Sequence, residues 1–256
     1  MKTSSKIVLV LSLLFNLAIV SGVGVYVKNN GSAGVRATIS ELLNGQAEIH
    51  AQADSYVPNS HHLNRSSTFD IMPPEENAIV FLGDSITQRN EWAELFQHSS
   101  IKNRGIDSDR TYSIVHRLNP VIKAKPDKVF IMVGINDLRE GRKVADITAD
   151  YDMILSRLNN GTPDTEIFIQ SVLPVNNTTF YKRTDNRYVR ALNVALNDLS
   201  DKYSAVFINL YPQFLAPSGK ELNPDFTYDG LHLNGEGYLL WKHMIEEYVT
   251  DERTAG

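Results

Sequence analysis

The sequence predicts an α/β domain of three layers, with helices on both faces of a central five-stranded parallel sheet. Two patterns predict it. From Ala78 to Val249, short runs rich in Val, Ile and Phe alternate with longer amphipathic stretches. Strand-helix alternation of this kind builds a parallel sheet covered on both sides. The chain also has 256 residues and no Cys, so one sizeable core must hold by packing without disulfides.

Taken in order, the first strand is expected at Ala78–Leu82, a helix over Asn90–Phe96 and a second strand at Ser100–Asn103. A helix over Ser108–Leu118 leads to the third strand, Lys128–Val133. In the next helix, Asp146–Leu158, the residues Ile147, Tyr151, Ile154, Leu155 and Leu158 share one apolar face. A fourth strand at Glu166–Leu173, a helix over Asn186–Lys202 and a fifth strand at Ala205–Leu210 follow. The last helix, Gly235–Val249, aligns Tyr238, Trp241, Ile245 and Tyr248. The strands are short and apolar, as strands buried on both faces are.

Upstream the material changes. Ile7–Val27 is a run of 21 residues broken only by Ser12, Asn16 and Ser21. At about 1.5 Å per residue it makes about 31 Å of helix, enough for a hydrocarbon core of about 30 Å. Residues 1–28 are therefore expected to be a membrane anchor with the bulk of the chain outside the cytoplasm. The alternative is a secretory signal, cleaved near Ser21-Gly22. Residues 29–77 read as a spacer, with a stalk helix over Val35–Ala53 and no regular element from Tyr56 to Asn77. The catalytic domain is expected over residues 78–250. A net charge of −5 and the absence of any Lys/Arg run longer than two residues exclude the basic field that nucleic-acid binding requires.

Four segments stand at the ends of these elements: Gly83-Asp84-Ser85-Ile86, Asn103-Arg104-Gly105, Gly134-Ile135-Asn136-Asp137 and Asp229-Gly230-Leu231-His232. They supply what acyl transfer needs, an alcohol nucleophile, a base and donors for an oxyanion. Ligands in parallel sheets bind beyond the carboxyl ends of the strands, and Ser85, Gly105 and Asn136 all follow predicted strands. Among seven His, only His232 has a carboxylate three residues before it in a turn segment, where Asp229 can hold Nδ1–H and leave Nε2 toward a serine. Taken singly, each residue has a plainer reading: Ser85 as a helix N-cap, His232 as a loop histidine, Gly105 and Asn136 as turn residues. No His-Glu-x-x-His pattern is present, so no metal is expected, and acyl transfer by these residues needs no cofactor.

With these blocks in this order, residues 78 to 249 resemble the serine esterases of the SGNH (GDSL-type) hydrolase family. The wording Val80-Phe81-Leu82-Gly83-Asp84-Ser85-Ile86-Thr87, then Asn103-Arg104-Gly105-Ile106, is most similar to the platelet-activating-factor-acetylhydrolase-like or sialate-O-acetylesterase-like branch. The resemblance implies a flavodoxin-like fold and a triad of Ser85, His232 and Asp229. It implies an oxyanion hole from the Ser85 N–H, the Gly105 N–H and the Asn136 amide, with Asp84 and Asp137 as loop-fixing acceptors. It also implies hydrolysis of short-chain, chiefly acetyl, esters of glycans or small lipids. An envelope acyltransferase, a lysophospholipase and a non-catalytic glycan-binding module are the alternatives. Two features depart from the branch. Asp107-Ser108 stands where the second block usually reads Gly-Gly. Arg139, Arg142 and Lys143 follow the third block, read here as a solvated helix start, with contact to an anionic substrate as the alternative.

Overall fold

The computed structural model describes residues 57–75, 77–180 and 184–250. The expected anchor (1–28) and the Val35–Ala53 helix lie outside the described residues. Within them, five parallel strands form one sheet: β1 Ile79–Gly83, β2 Ile101–Gly105, β3 Lys128–Met132, β4 Glu166–Gln170 and β5 Val206–Ile208, in the order β2-β1-β3-β4-β5. β1 and β3 are buried along their whole length, which is why they read as unbroken apolar runs rather than alternating ones.

The helices are α1 Ser60–Ile71, α2 Ser85–Gln88, α3 Trp92–Phe96, α4 Thr111–His116, α5 Asn119–Ala124, α6 Ile135–Arg139, α7 Val144–Gly161, α8 Asn186–Tyr203 and α9 Gly235–Val249. Two 3₁₀ turns, Tyr211–Phe214 and Pro224–Phe226, lie between β5 and α9. One face of the sheet carries a ladder of rings. Phe130 stacks between Phe81 and Phe168 at 4.9 and 4.4 Å, and Trp92 of α3 stacks on Phe81 at 4.5 Å. Trp241 of α9 meets Trp92 edge-on at 4.8 Å. Offset and edge-on contacts of this kind add to the burial of area. Lys128, at the start of β3, donates from Nζ to the Tyr248 carbonyl at 2.9 Å, a cation at the carboxyl end of α9 where the helix dipole favours it. α7 buries Ile147, Tyr151, Ile154, Leu155 and Leu158, the face its spacing predicts.

The short helices α2, α5 and α6 are additional to the sequence reading, and the helix expected over Ser108–Leu118 covers only Thr111–His116; two further segments also differ. β4 ends at Gln170 rather than Leu173: the Ser171 N–H still reaches the Ile208 carbonyl at 3.0 Å, but Val172 and Val175 bond to side chains instead of a strand. Asn193 of α8 accepts from the Val172 N–H at 2.8 Å and donates to its carbonyl at 2.9 Å. Asn186 does the same for Val175 at 2.9 and 2.8 Å. Each asparagine stands in for one rung of a ladder. The second difference is α1, which lies where no regular element is expected. Asn59 caps it by accepting from the His62 N–H at 2.9 Å. The face it turns to the domain is His62, Arg65 and Phe69, helical in spacing but two-thirds polar, so hydrophobic periodicity misses it.

The registers fix where the site forms. Gly83 of β1 is level with Gly105 of β2 and Met132 of β3. The segments that follow these strands therefore leave the sheet side by side, at the point where the strand order reverses direction.

Candidate active site

After β1 the chain turns sharply at Gly83, where a Cβ would stand 2.2 Å from Thr87 Oγ1 and 2.4 Å from the Met132 carbonyl. Only glycine fits. Asp84 caps α2 by accepting from the Ile86 N–H at 2.9 Å, so Ser85 becomes the first helical residue. At that position the N–H has no partner within the helix. The Ser85 hydroxyl lies 2.9 Å from His232 Nε2.

His232 is aimed from the other side. Its Nδ1–H donates to Asp229 Oδ2 at 2.6 Å, while Asp229 Oδ1 accepts from the N–H groups of Leu231 and His232 at 2.9 and 2.8 Å. Burial works against the Asp229 charge, but the His232 ring and these two backbone donors outweigh it and hold the carboxyl below its ordinary range. Gly230 makes the turn with φ of +84°. Its carbonyl accepts from the Asn176 N–H at 2.8 Å and its N–H donates to Thr227 Oγ1 at 2.9 Å. The structure thus joins Ser85, His232 and Asp229 in one unbroken chain of hydrogen bonds, across 147 positions of sequence between serine and histidine. In such a chain an imidazole can take the hydroxyl proton while the carboxylate stabilises its charged form.

Asn136 lies on α6, just after β3, and is 5 % exposed. Its Nδ2 donates to the Asp109 carbonyl at 2.9 Å, and its Oδ1 accepts from Arg139 Nη1 at 2.8 Å. These two partners settle which way the amide faces and leave one amide N–H for another acceptor. Gly105 is placed differently from its expected role. Its N–H donates to Asn103 Oδ1 at 2.9 Å, so it is not presented as an oxyanion donor. A Cβ there would lie 2.3 Å from the Gln88 nitrogen and 2.9 Å from the Asp84 carbonyl, so this glycine serves the packing of β2 under α2. The residue that sequence reasoning missed is Ser108. It sits at φ of +65°, exposed, and its N–H donates to no acceptor among the described residues. The next carbonyl, that of Asp109, is the one that holds Asn136. The signal was present as the departure Asp107-Ser108 from Gly-Gly, since a position needing positive φ usually carries glycine.

Asp84 and Asp137 are buried acceptors. Asp137 takes the Thr111 N–H at 3.1 Å and Arg142 Nη1 at 2.5 Å. Arg142 also meets Asp150 at 2.7 Å, with only 8 % of its side chain exposed. It is therefore a buried ion-pair partner and not part of a solvated helix start; Lys143 alone of the three is exposed. Arg139 is half-buried, over the Phe180 ring at 5.1 Å. Among the described residues no cluster of three or more His, Asp or Glu is arranged to hold a metal ion.

Burial pushes the Asp84 carboxyl up from 3.8 to about 7, against the Ile86 N–H, with Asp109 and Asp137 adding to the rise. The folded state therefore keeps a proton that the unfolded chain loses at lower pH, and stability falls as pH rises from about 4 to about 7. The gap between 3.8 and about 7 is worth at most about 4 kcal/mol. Asp84→Asn keeps the acceptor for Ile86 and cannot ionise. Its melting temperature relative to wild type is expected to climb between pH 4 and pH 8. Parallel pH profiles for the two proteins would count against a buried, proton-holding Asp84.

The profile of the GDSL-like Lipase/Acylhydrolase family matches residues 81–240. The chain belongs to this family. Among solved structures, one from Streptococcus pneumoniae described as a platelet activating factor is 28 % identical with a TM-score of 0.66, and the match covers 85 % of this chain and 99 % of that one. An acetyl xylan esterase is 20 % identical with a TM-score of 0.58, over 68 % of this chain and all of that one. The Escherichia coli N-acylneuraminate cytidylyltransferase is 30 % identical over 148 residues, which are 57 % of this chain and 33 % of the bacterial protein. The chain thus spans about a third of the length of that relative.

Proposed function

We propose that the protein hydrolyses short-chain, chiefly acetyl, O-esters on carbohydrate or a small lipid through an acyl-serine intermediate. The observation that carries this reading is the Ser85–His232–Asp229 chain at 2.9 and 2.6 Å. His232 Nε2 takes the Ser85 proton as Oγ attacks the ester carbonyl, and returns it to the departing sugar or glycerol oxygen. It then takes a proton from water, whose oxygen attacks the acyl carbon, and Ser85 is released with the free acid. The negative oxygen of each tetrahedral intermediate is received by the Ser85 N–H, the spare Asn136 amide N–H and the Ser108 N–H, the last in place of Gly105.

The acetyl preference is supported by the fold neighbour that is an acetyl xylan esterase. The two large cavities described, of about 820 and 520 Å³, are lined by neither Ser85 nor His232. The carbohydrate preference is supported by likeness to part of a protein named for N-acylneuraminate. We place the domain outside the cytoplasm on an N-terminal anchor, on the strength of the Ile7–Val27 run; among the described residues no helix is long and apolar enough to cross a membrane.

A p-nitrophenyl ester series from two to twelve carbons, run beside acetylated sialic acid, acetylated xylan and a lysophospholipid, tests the acyl and alcohol preference together. Each methylene buried in an apolar pocket contributes about 0.8 kcal/mol, so a long-chain enzyme gains about fourfold per carbon. The expected result is a kcat/KM maximum at the acetyl ester with acetate released from at least one sugar. A maximum at eight carbons or longer, with no acetate from any sugar, would move the assignment to lysophospholipase.

A further inference from the structure

The loop between β2 and α4 carries two of the groups given roles above, the Ser108 N–H and the Asp109 carbonyl that orients Asn136. Beyond Gly105 its backbone reaches the sheet once, from the Ile106 N–H to the Gly83 carbonyl at 3.1 Å, so side chains do most of the fixing. From within the domain, Arg117 holds Asp109 Oδ2 at 2.6 Å and the Gly83 carbonyl at 3.1 Å. Gln88 Oε1 accepts from the Asp107 N–H at 2.6 Å, Arg89 pairs with the Asp107 carboxylate at 3.3 Å, and Arg110 Nη1 donates to the Ser108 carbonyl at 3.0 Å. Two further holds come from α1. His62 Nε2 stands 3.1 Å from Asp109 Oδ1, with both side chains buried. Arg65 Nε donates to the Gly105 carbonyl at 2.9 Å. Phe69, on the same face, is buried against the guanidinium groups of Arg104 and Arg65 at 4.9 and 5.2 Å, a cation–π contact that ties α1 to the domain. Residues 60–71 lie wholly before the stretch that the family profile matches.

We infer that α1 is a clamp on the oxyanion side of the site, with His62 and Arg65 as positioning residues that act through the 105–109 loop. The inference rests on the oxyanion reading of Asn136 and Ser108. Arg65 fixes the peptide at which the loop leaves the sheet, and His62 fixes the residue at which it enters the next helix. Between these points Ser108 is held at its positive φ. Without the clamp the Asp109 side chain retains only Arg117 and its N–H only the Ile106 carbonyl, and its own carbonyl presents a less fixed acceptor to Asn136. A displacement of one ångström at such a donor costs catalysis more than binding, because the oxyanion exists only in the transition state.

The test is steady-state kinetics of the full-length protein in detergent, using p-nitrophenyl acetate, for wild type, His62→Ala/Arg65→Ala, His62→Gln and Arg65→Lys. The double variant is expected to lose at least tenfold in kcat with KM within twofold of wild type and an unchanged circular dichroism spectrum. His62→Gln and Arg65→Lys each keep a donor and are expected to stay within threefold of wild-type kcat, a rescue that loss of packing alone would not produce. A folded double variant with kcat within threefold of wild type, or with only KM raised, overturns the clamp. Should the double variant fail to fold, Arg65→Ala against Arg65→Lys carries the same contrast: a kcat loss restored by Lys supports it, and equal kcat overturns it. A wild-type protein without turnover would instead count against the proposed function itself.

Discussion

Ser85→Ala is expected to lower ester turnover by roughly 10⁴-fold or more while leaving the fold intact. The expectation follows from what the hydroxyl touches. Ser85 Oγ makes one side-chain hydrogen bond, to His232 Nε2, and the helix it begins is capped by Asp84 and not by Ser85 itself. Removing the oxygen takes away the only alcohol in the chain of hydrogen bonds but little packing. His232 keeps its Asp229 partner, and its side chain is 18 % exposed, within reach of water. The melting temperature should stay within a few degrees of wild type, since substitutions that leave no buried group unpaired usually cost little. Turnover of p-nitrophenyl acetate and a thermal melt check both halves. Activity within tenfold of wild type, with an unchanged melt, would mean that another residue attacks the ester.

The second large effect is expected at the base. His232→Ala should cost about as much as Ser85→Ala, and the double variant should be no worse than either single one, because groups that act as one unit are not additive. The loss is chemical rather than structural. The Asp229 carboxylate that faces His232 is half exposed and keeps the Leu231 N–H, so its charge is rehydrated rather than stranded. Kinetics of the two single variants and the double one decide the matter. If the losses multiply in the double variant, serine and histidine do not share a step.

Much of this site was legible in the sequence because acyl chemistry constrains residue type at strand ends. Ser85, Asn136 and the Asp229–His232 turn all lie where strand-helix alternation places them, and sheet register then brings three of the four blocks level. What could not be read was set by contacts distant in sequence. Gly105 was expected to free its N–H, but its glycine answers to Gln88 and Asp84 pressing from α2. Arg142 looked solvated beside Lys143, yet its partners include Asp150, one helix later. α1 was missed for a different reason. A helix that docks through His62, Arg65 and Phe69 buries charge and one ring rather than an aliphatic stripe, and hydropathy carries no trace of it. The second block did announce its irregularity. Asp107-Ser108 in place of two glycines marks the loop whose positive φ at Ser108 the structure shows.

Every role proposed for the site depends on one nucleophile. The most direct measurement is therefore to label the active protein with a fluorophosphonate, digest it and locate the adduct by mass spectrometry. Such a probe reacts with a serine that has an adjacent base and an oxyanion hole. The account predicts one adduct per chain, on the peptide containing Ser85, with loss of esterase activity in proportion to labelling. Full inactivation with the adduct on another residue, or full activity retained in a protein stoichiometrically labelled at Ser85, would contradict it.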